Sequence, residues 1–119
     1  MRITGFAAGP FQTNCYVVAN GDRAIVIDPG LGAHDVVARL ADEKSFTVEA
    51  VVLTHGHIDH IRDAAAFGVE TFVHPADAFM LLRGDGVSEQ ARELHDASGM
   101  QPIDTPTPLA DGQVLTVAG

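Results

Sequence analysis

Residues 49–61, EAVVLTHGHIDHI, run four apolar positions without a break and then place three histidines and an aspartate within six positions. The run from Ala50 to Leu53 has no polar alternation, which is the pattern of a strand covered on both faces. A strand of that kind belongs inside a sheet flanked by helices. His55, His57, Asp59 and His60 follow it directly, so the cluster falls at the strand's C-terminal end, where open α/β sheets bind their ligands.

The flanking sequence supplies the rest of such a sheet. NCYVVA and DRAIVID lie on either side of Asn20-Gly21, a short hairpin signal because turn residues of this kind accept positive φ. The chain therefore opens with antiparallel strands. Asp28-Pro29-Gly30 stops the second of them, and Val36, Val37, Leu40 and Ala41 then recur at helical spacing, which predicts a helix over Ala33 to Glu43. After the cluster, DHIRDAAAFG predicts a helix from Asp59 ended by Gly68, and VETFV a strand. PADAFMLL predicts a further helix, begun by Pro75 and ended by Gly84. Strands and helices in alternation make an α/β chain with neighbouring parallel strands, read as one domain over residues 1–119.

Beyond Gly84 the pattern weakens. SEQARELHDASG predicts a polar helix with Ser88 as its N-cap, and Pro102, Pro106 and Pro108 predict an irregular loop. Residues 84–108 are read as a mobile covering segment. GQVLTV, after the turn Asp111-Gly112, is expected to form a last strand.

Composition narrows the partners. Seven basic against sixteen acidic residues give a formal charge of −9, which repels phosphate backbones and anionic headgroups, so neither nucleic acid nor a membrane is expected. The sole cysteine, Cys15, sits in NCYVVA as a buried strand residue and has no intramolecular disulfide partner, the usage of a reducing compartment. Gly5, Gly9 and Pro10 interrupt the uncharged run from Ile3 to Gly21, which leaves neither a membrane span nor a signal peptide. A cytoplasmic protein is expected.

The cluster carries the chemistry. His55 and His57, two positions apart in extended chain, project to one side and can reach one cation at about 2.0–2.1 Å. Asp59 and His60 are consecutive, so a turn into the next helix would aim them at a second position nearby. Two cations roughly 3.5–4 Å apart would share a water, lower its pKa and polarise a carbonyl or phosphoryl oxygen, which is hydrolase chemistry.

THGHIDH resembles the T-H-x-H-x-D-H signature of the metallo-β-lactamase superfamily. NCYVV, VIDPG, VETFVHPAD and LADGQVLTV follow the order seen in its glyoxalase II-like hydrolases. The resemblance implies an α/β chain forming half of an αββα sandwich, a mixed sheet with helices on one face. It implies that His55 and His57 hold one metal and Asp59 and His60 the other, with Asp59 also catalytic and Asp28 supporting the ligands from a neighbouring strand. Zinc is the expected metal, with iron or manganese as alternatives. The implied reaction is attack of a metal-bound hydroxide on a thioester or related acyl bond of a small molecule. Some relatives, the persulfide dioxygenases, use one iron at the His-x-His site; nuclease relatives share the motif, but the negative charge argues against them.

The resemblance covers only the first half of that fold. No PGH-like motif follows, and the family's third histidine for site one, bridging aspartate and last histidine have no counterpart in the 119 residues. Each metal is left with two protein ligands. Arg62 and Asp63 stand where a glycine pair often occurs. His74, at the end of the parallel strand ETFV, is the best placed possible extra ligand, although a role at the helix start before Pro75 is the preferred reading. His34 is expected to be exposed and His95 solvated. Helices on one face leave the other apolar face of the sheet open, so a homodimer or a complementary C-terminal half is the expected partner. A half-fold that acts only in assembly, without catalysis, is the competing reading.

Overall fold

The computed structural model describes residues 1–115. Within them lies one mixed sheet, ordered β1 (Arg2–Ala8), β2 (Thr13–Asn20), β3 (Arg23–Ile27), β4 (Thr47–Val52), β5 (Glu70–Val73) and β6 (Thr107–Pro108). The first three strands are antiparallel; β3 through β6 are parallel. The β2–β3 hairpin closes one residue later than Asn20-Gly21 implies. Asn20 pairs with Arg23, leaving Gly21-Asp22 as the loop, and of that pair only Gly21 takes positive φ, 63°. Glycine absorbs the left-handed position, which frees Asn20 to extend the ladder.

Four α-helices are found among the described residues: α1 (Ala33–Lys44), α2 (Ile58–Ile61), α3 (Met80–Arg83) and α4 (Glu89–Leu94). In α1, one residue longer than expected, Ala33 and Val37 are buried, while Asp35 and Lys44 occupy the first and last turns, where their charges suit the helix dipole. The helix expected from Asp59 starts at Ile58 and stops after one turn. The cause is local: Asp63 N–H donates to the Pro29 carbonyl at 3.0 Å instead of continuing the helix, and a 3-10 turn over Ala64–Phe67 follows, ended by Gly68. The helix expected from Pro75 is likewise split, into a 3-10 turn over Pro75–Asp77 and then α3, ended by Gly84. Ser88 caps α4, its Oγ accepting from Ala91 N–H at 3.1 Å.

Register separates the two faces of the sheet. Val17, Val26, Val51 and Thr71 align across β2 to β5, and all four are buried. Ala33 and Val37 of α1, Ile61 of α2 and Leu81 of α3 join the same core as these valines, each buried valine, isoleucine or leucine side chain contributing about 1.5–3 kcal/mol. The adjacent row, Tyr16, Ile27, Val52 and Phe72, faces the other way. Tyr16 is 41% exposed on it, and Ile3 of β1 68%. Val52, read from sequence as covered on both sides, is only half-buried, because the helices lie on one face. The fold is thus α/β, with a mixed sheet backed by a single helical layer.

Residues 84–108 pack more closely than their polarity suggests. His95, expected to be solvated, is fully buried. Its Nδ1–H donates to the Ala91 carbonyl at 2.9 Å, and its ring meets Phe11 edge-on at 4.6 Å between centroids. Arg62 fastens the next turn to α2. Its Nε donates to the His95 and Asp96 carbonyls, and its Nη2 meets Asp96 Oδ2 at 2.9 Å. Where an irregular loop was expected, β6 adds a parallel edge strand to β5, a place in which Pro108 removes no needed donor. The turn at Asp111-Gly112 is present. Of the strand expected over GQVLTV, residues 112–115 lie outside the sheet, and Thr116 and Val117 fall outside the described residues. No helix among the described residues is long and apolar enough to cross a membrane.

Candidate metal centre

Strand β4 hands the chain to the cluster. Leu53, buried, still pairs with β5 through its N–H and the Phe72 carbonyl at 2.9 Å. From Thr54 the backbone leaves the sheet, and His57 takes an extended conformation, φ −65° and ψ 141°, that starts α2. His57 O accepts from His60 N–H at 2.8 Å. Ile58 and Ile61, one turn apart, are the buried anchors of α2, and Asp59 and His60 between them remain partly open.

Asp28 organises this corner. The residue is 5% exposed and has φ 56°, a left-handed conformation that aspartate tolerates better than most residues. Its Oδ1 accepts from Thr54 N–H at 2.8 Å, and its Oδ2 from Thr54 Oγ1 at 2.6 Å and from His60 Nδ1 at 2.9 Å. A carboxylate only accepts, so His60 carries a proton on Nδ1. Thr54 gives its hydroxyl proton to Asp28, so its oxygen is the acceptor for His55 Nδ1 at 3.1 Å, which places the lone pair of a neutral His55 on Nε2. One buried carboxylate thereby anchors the Nδ1 edge of two imidazoles, directly and through a threonine.

The three rings adjoin. His55 lies 4.0 Å from His60 and 4.8 Å from His57 between centroids. Burial holds the His55 pKa below the usual histidine value, and its histidine neighbours His60 and His57 lower it further, so the neutral, metal-competent imidazole is favoured. Asp59 Oδ2 accepts from Thr13 Oγ1 at 2.8 Å and sits 3.3 Å from His60 Nε2. Imidazoles beside a carboxylate form a donor set suited to a divalent cation. Among the described residues, no three His, Cys, Asp or Glu side chains converge as a complete metal site.

The remaining histidines lie elsewhere. His74 Nδ1 accepts from Ala76 N–H at 3.1 Å, capping its own turn. His34 is partly exposed and packs edge-on against Phe67 at 4.8 Å. Three contacts were not read from sequence: the Thr13 hydroxyl on Asp59, the Thr54 relay, and Asp77 Oδ2, which accepts from Gly56 N–H at 2.9 Å. The available signal was the position of Asp77 at the first turn after a strand parallel to β4.

A family model described as the metallo-beta-lactamase superfamily matches residues 8–117. The chain belongs to that superfamily. An uncharacterised protein of Mycobacterium tuberculosis is 52% identical to this metallo-beta-lactamase-fold chain over 87 residues, 68% of the chain and 39% of the relative. Hydroxyacylglutathione hydrolase GloC of Haemophilus influenzae is 30% identical over 129 aligned positions, all of this chain and 57% of its own length. Among solved structures, the B3 metallo-beta-lactamase BLEG-1 superimposes with a TM-score of 0.75 at 28% identity, covering 98% of this chain and 56% of that one. TTHA1623, crystallised in a di-iron-bound form, gives a TM-score of 0.71 at 28% identity over 94% of this chain and 56% of that one. The chain thus spans between two fifths and three fifths of the length of these relatives.

Proposed function

We propose that this chain supplies the His-x-His-x-Asp-His part of the metal centre of a thioester hydrolase resembling glyoxalase II. The observation that carries the reading is the corner where the His55, His57 and His60 rings adjoin beside Asp59, with Asp28 accepting from His60 Nδ1 directly and anchoring His55 Nδ1 through Thr54. His55 and His57 are assigned one cation, Asp59 and His60 the other. Zinc is the metal proposed first; iron and manganese remain alternatives, and the di-iron state belongs to the TTHA1623 structure. When bound, such cations supply a water acidic enough to attack a carbonyl at neutral pH. Asp59 is assigned a catalytic role as well as a ligand's, with Thr13 occupying its Oδ2 and orienting the carboxylate.

The choice of a thioester rests on two relatives that align with the whole of this chain. One is the hydroxyacylglutathione hydrolase above; the other, 32% identical over 125 positions, is an atrochrysone carboxyl ACP thioesterase of Aspergillus fumigatus. Two protein ligands per cation fall short of the three that a catalytic zinc site uses, so the remaining ligands are proposed to come from outside these 119 residues. The open sheet face, with Ile3, Tyr16, Ile27 and Val52, is the surface proposed to receive their source, either a complementary C-terminal half or a second copy of the chain.

The test is hydrolysis of an acylglutathione thioester with zinc, manganese or iron supplied. It compares the chain with His57→Ala, each alone and with a complementary C-terminal half added. Metal-dependent turnover lost in His57→Ala supports the assignment, and equal rates for the two proteins remove it. A metal-poor dimer without turnover under any condition would favour the assembly reading.

A further inference from the structure

Gly56 separates His55 from His57, and its surroundings are more constrained than its backbone. It has none of the positive φ values that make glycine necessary elsewhere in the chain. What excludes a side chain is contact: a Cβ there would meet the Asp77 carbonyl oxygen and Met80 Sδ at 2.9 Å and Asp77 Cβ at 3.0 Å. The chain after β5 has been brought flush against the peptide between the two histidines, and Asp77 Oδ2 takes that peptide's N–H at 2.9 Å. The turn presenting Asp77 is itself fixed at its start. His74 O accepts from Asp77 N–H at 2.9 Å, and His74 Nδ1 accepts from Ala76 N–H at 3.1 Å. His74 thus serves the cluster by building the turn that carries Asp77.

We propose that Asp77 is a positioning residue of the metal centre, holding the Gly56 peptide so that the His55 and His57 imidazoles keep the separation one cation needs. The inference rests on the reading of the cluster as a metal centre. The physical reason lies in the local freedom of the chain. Between Thr54, tied to Asp28, and Ile58, buried at the start of α2, Gly56 N–H is the backbone donor with a side-chain anchor. His57 itself is exposed, and its ring meets His55 edge-on at 4.8 Å. With the anchor removed, the Gly56 peptide loses the bond that fixes its orientation, and a turn of that peptide changes the direction of both imidazoles at once.

The test separates geometry from charge and reads metal binding directly. Zinc affinity of the chain is measured by competition with a chromophoric chelator for wild type, Asp77→Asn, Asp77→Glu and His57→Ala, with the cobalt absorption spectrum of each as the report on ligand geometry. Asparagine keeps an oxygen where Oδ2 accepts from Gly56; glutamate keeps the charge but moves it one methylene away. The expected result is Asp77→Asn within about threefold of wild type, and Asp77→Glu weakened about 10- to 100-fold with an altered cobalt spectrum, the range seen when a group supporting a ligand is lost. The reverse order, glutamate near wild type and asparagine weakened, would assign the effect to charge and overturn the proposal. Equal affinity in all three Asp77 proteins would overturn it as well. Wild type and His57→Ala binding zinc alike would instead remove the metal centre itself, an outcome told apart by that control.

Discussion

Replacing Asp28 with alanine removes the acceptor of three hydrogen bonds at once, from Thr54 N–H, Thr54 Oγ1 and His60 Nδ1. A hydrogen bond to a buried charged group contributes about 1.5–3 kcal/mol, but the three do not add. Thr54 is exposed and the His60 side chain is 22% accessible, so water re-satisfies part of what is lost. Alanine must also hold the φ of 56°, which costs an ordinary L-residue about 1–2 kcal/mol. The expected destabilisation is about 3–5 kcal/mol. Asp28→Asn keeps one acceptor and tolerates the left-handed backbone, so its cost is expected near 2 kcal/mol. Asp28→Gly loses the bonds without the strain and should be about 1 kcal/mol more stable than the alanine variant. Urea unfolding at neutral pH, followed by circular dichroism, measures all three. With a slope of about 2 kcal/mol per molar urea, the alanine variant's midpoint falls by roughly 2 M. Nitrogen shifts of His60 supply a second readout, since loss of Asp28 releases the proton from Nδ1. An alanine variant with a midpoint within about 0.3 M of wild type and an unchanged His60 tautomer would refute the organising role of this carboxylate.

Cys15 is pushed up to about 12, by burial first and then by the charges of Asp28 and Asp63. Its folded pKa lies above its unfolded one, so its contribution is intact below pH 9.0 and is lost as pH rises toward 12, by at most about 4 kcal/mol. Thiol labelling at neutral pH should therefore proceed only as the chain unfolds; rapid stoichiometric labelling of the folded protein would contradict this. Asp96, held low by the Arg62 guanidinium, behaves in the opposite sense. Its contribution is present at neutral pH and is lost as pH falls below the ordinary carboxylate range, so Asp96→Asn should flatten the acid limb of the stability profile, and an unchanged limb would count against the Arg62 clasp. Gly30→Ala drives a Cβ into the Asp59 carbonyl oxygen, and thermal unfolding should show a loss of about 1–3 kcal/mol; wild-type stability would mean that α2 yields freely.

What the sequence carried was local. Alternation in NCYVVA and the β-branched run in AIVI mark β2 and β3, and the spacing of Val37 and Leu40 marks α1, because each pattern is set by the periodicity of one element. What escaped was set by contacts across the fold. Asp63 ends α2 by turning its N–H to Pro29, and Asp77 reaches Gly56 from the next βα connection; neither partner is visible from local pattern. His95 lies among polar residues, yet Phe11 and the Ala91 carbonyl, one distant in sequence and one a helical turn back, bury it. The motif brought His55, His57, Asp59 and His60 to one corner, whereas the Asp28 and Thr54 hydrogen bonds that anchor the rings of His60 and His55 emerge only once β3 lies beside β4.

The most direct measurement is anomalous diffraction at the zinc edge from crystals of the chain grown with zinc. The expected result is density ligated by His55 Nε2 and the His57 imidazole, with a neighbouring peak at Asp59 and His60 Nε2, each at about 2.0–2.2 Å from its ligand atoms. Zinc found only on other histidines, such as His34 or His74, with no peak between the four cluster side chains, would contradict the assignment of this corner as a metal centre.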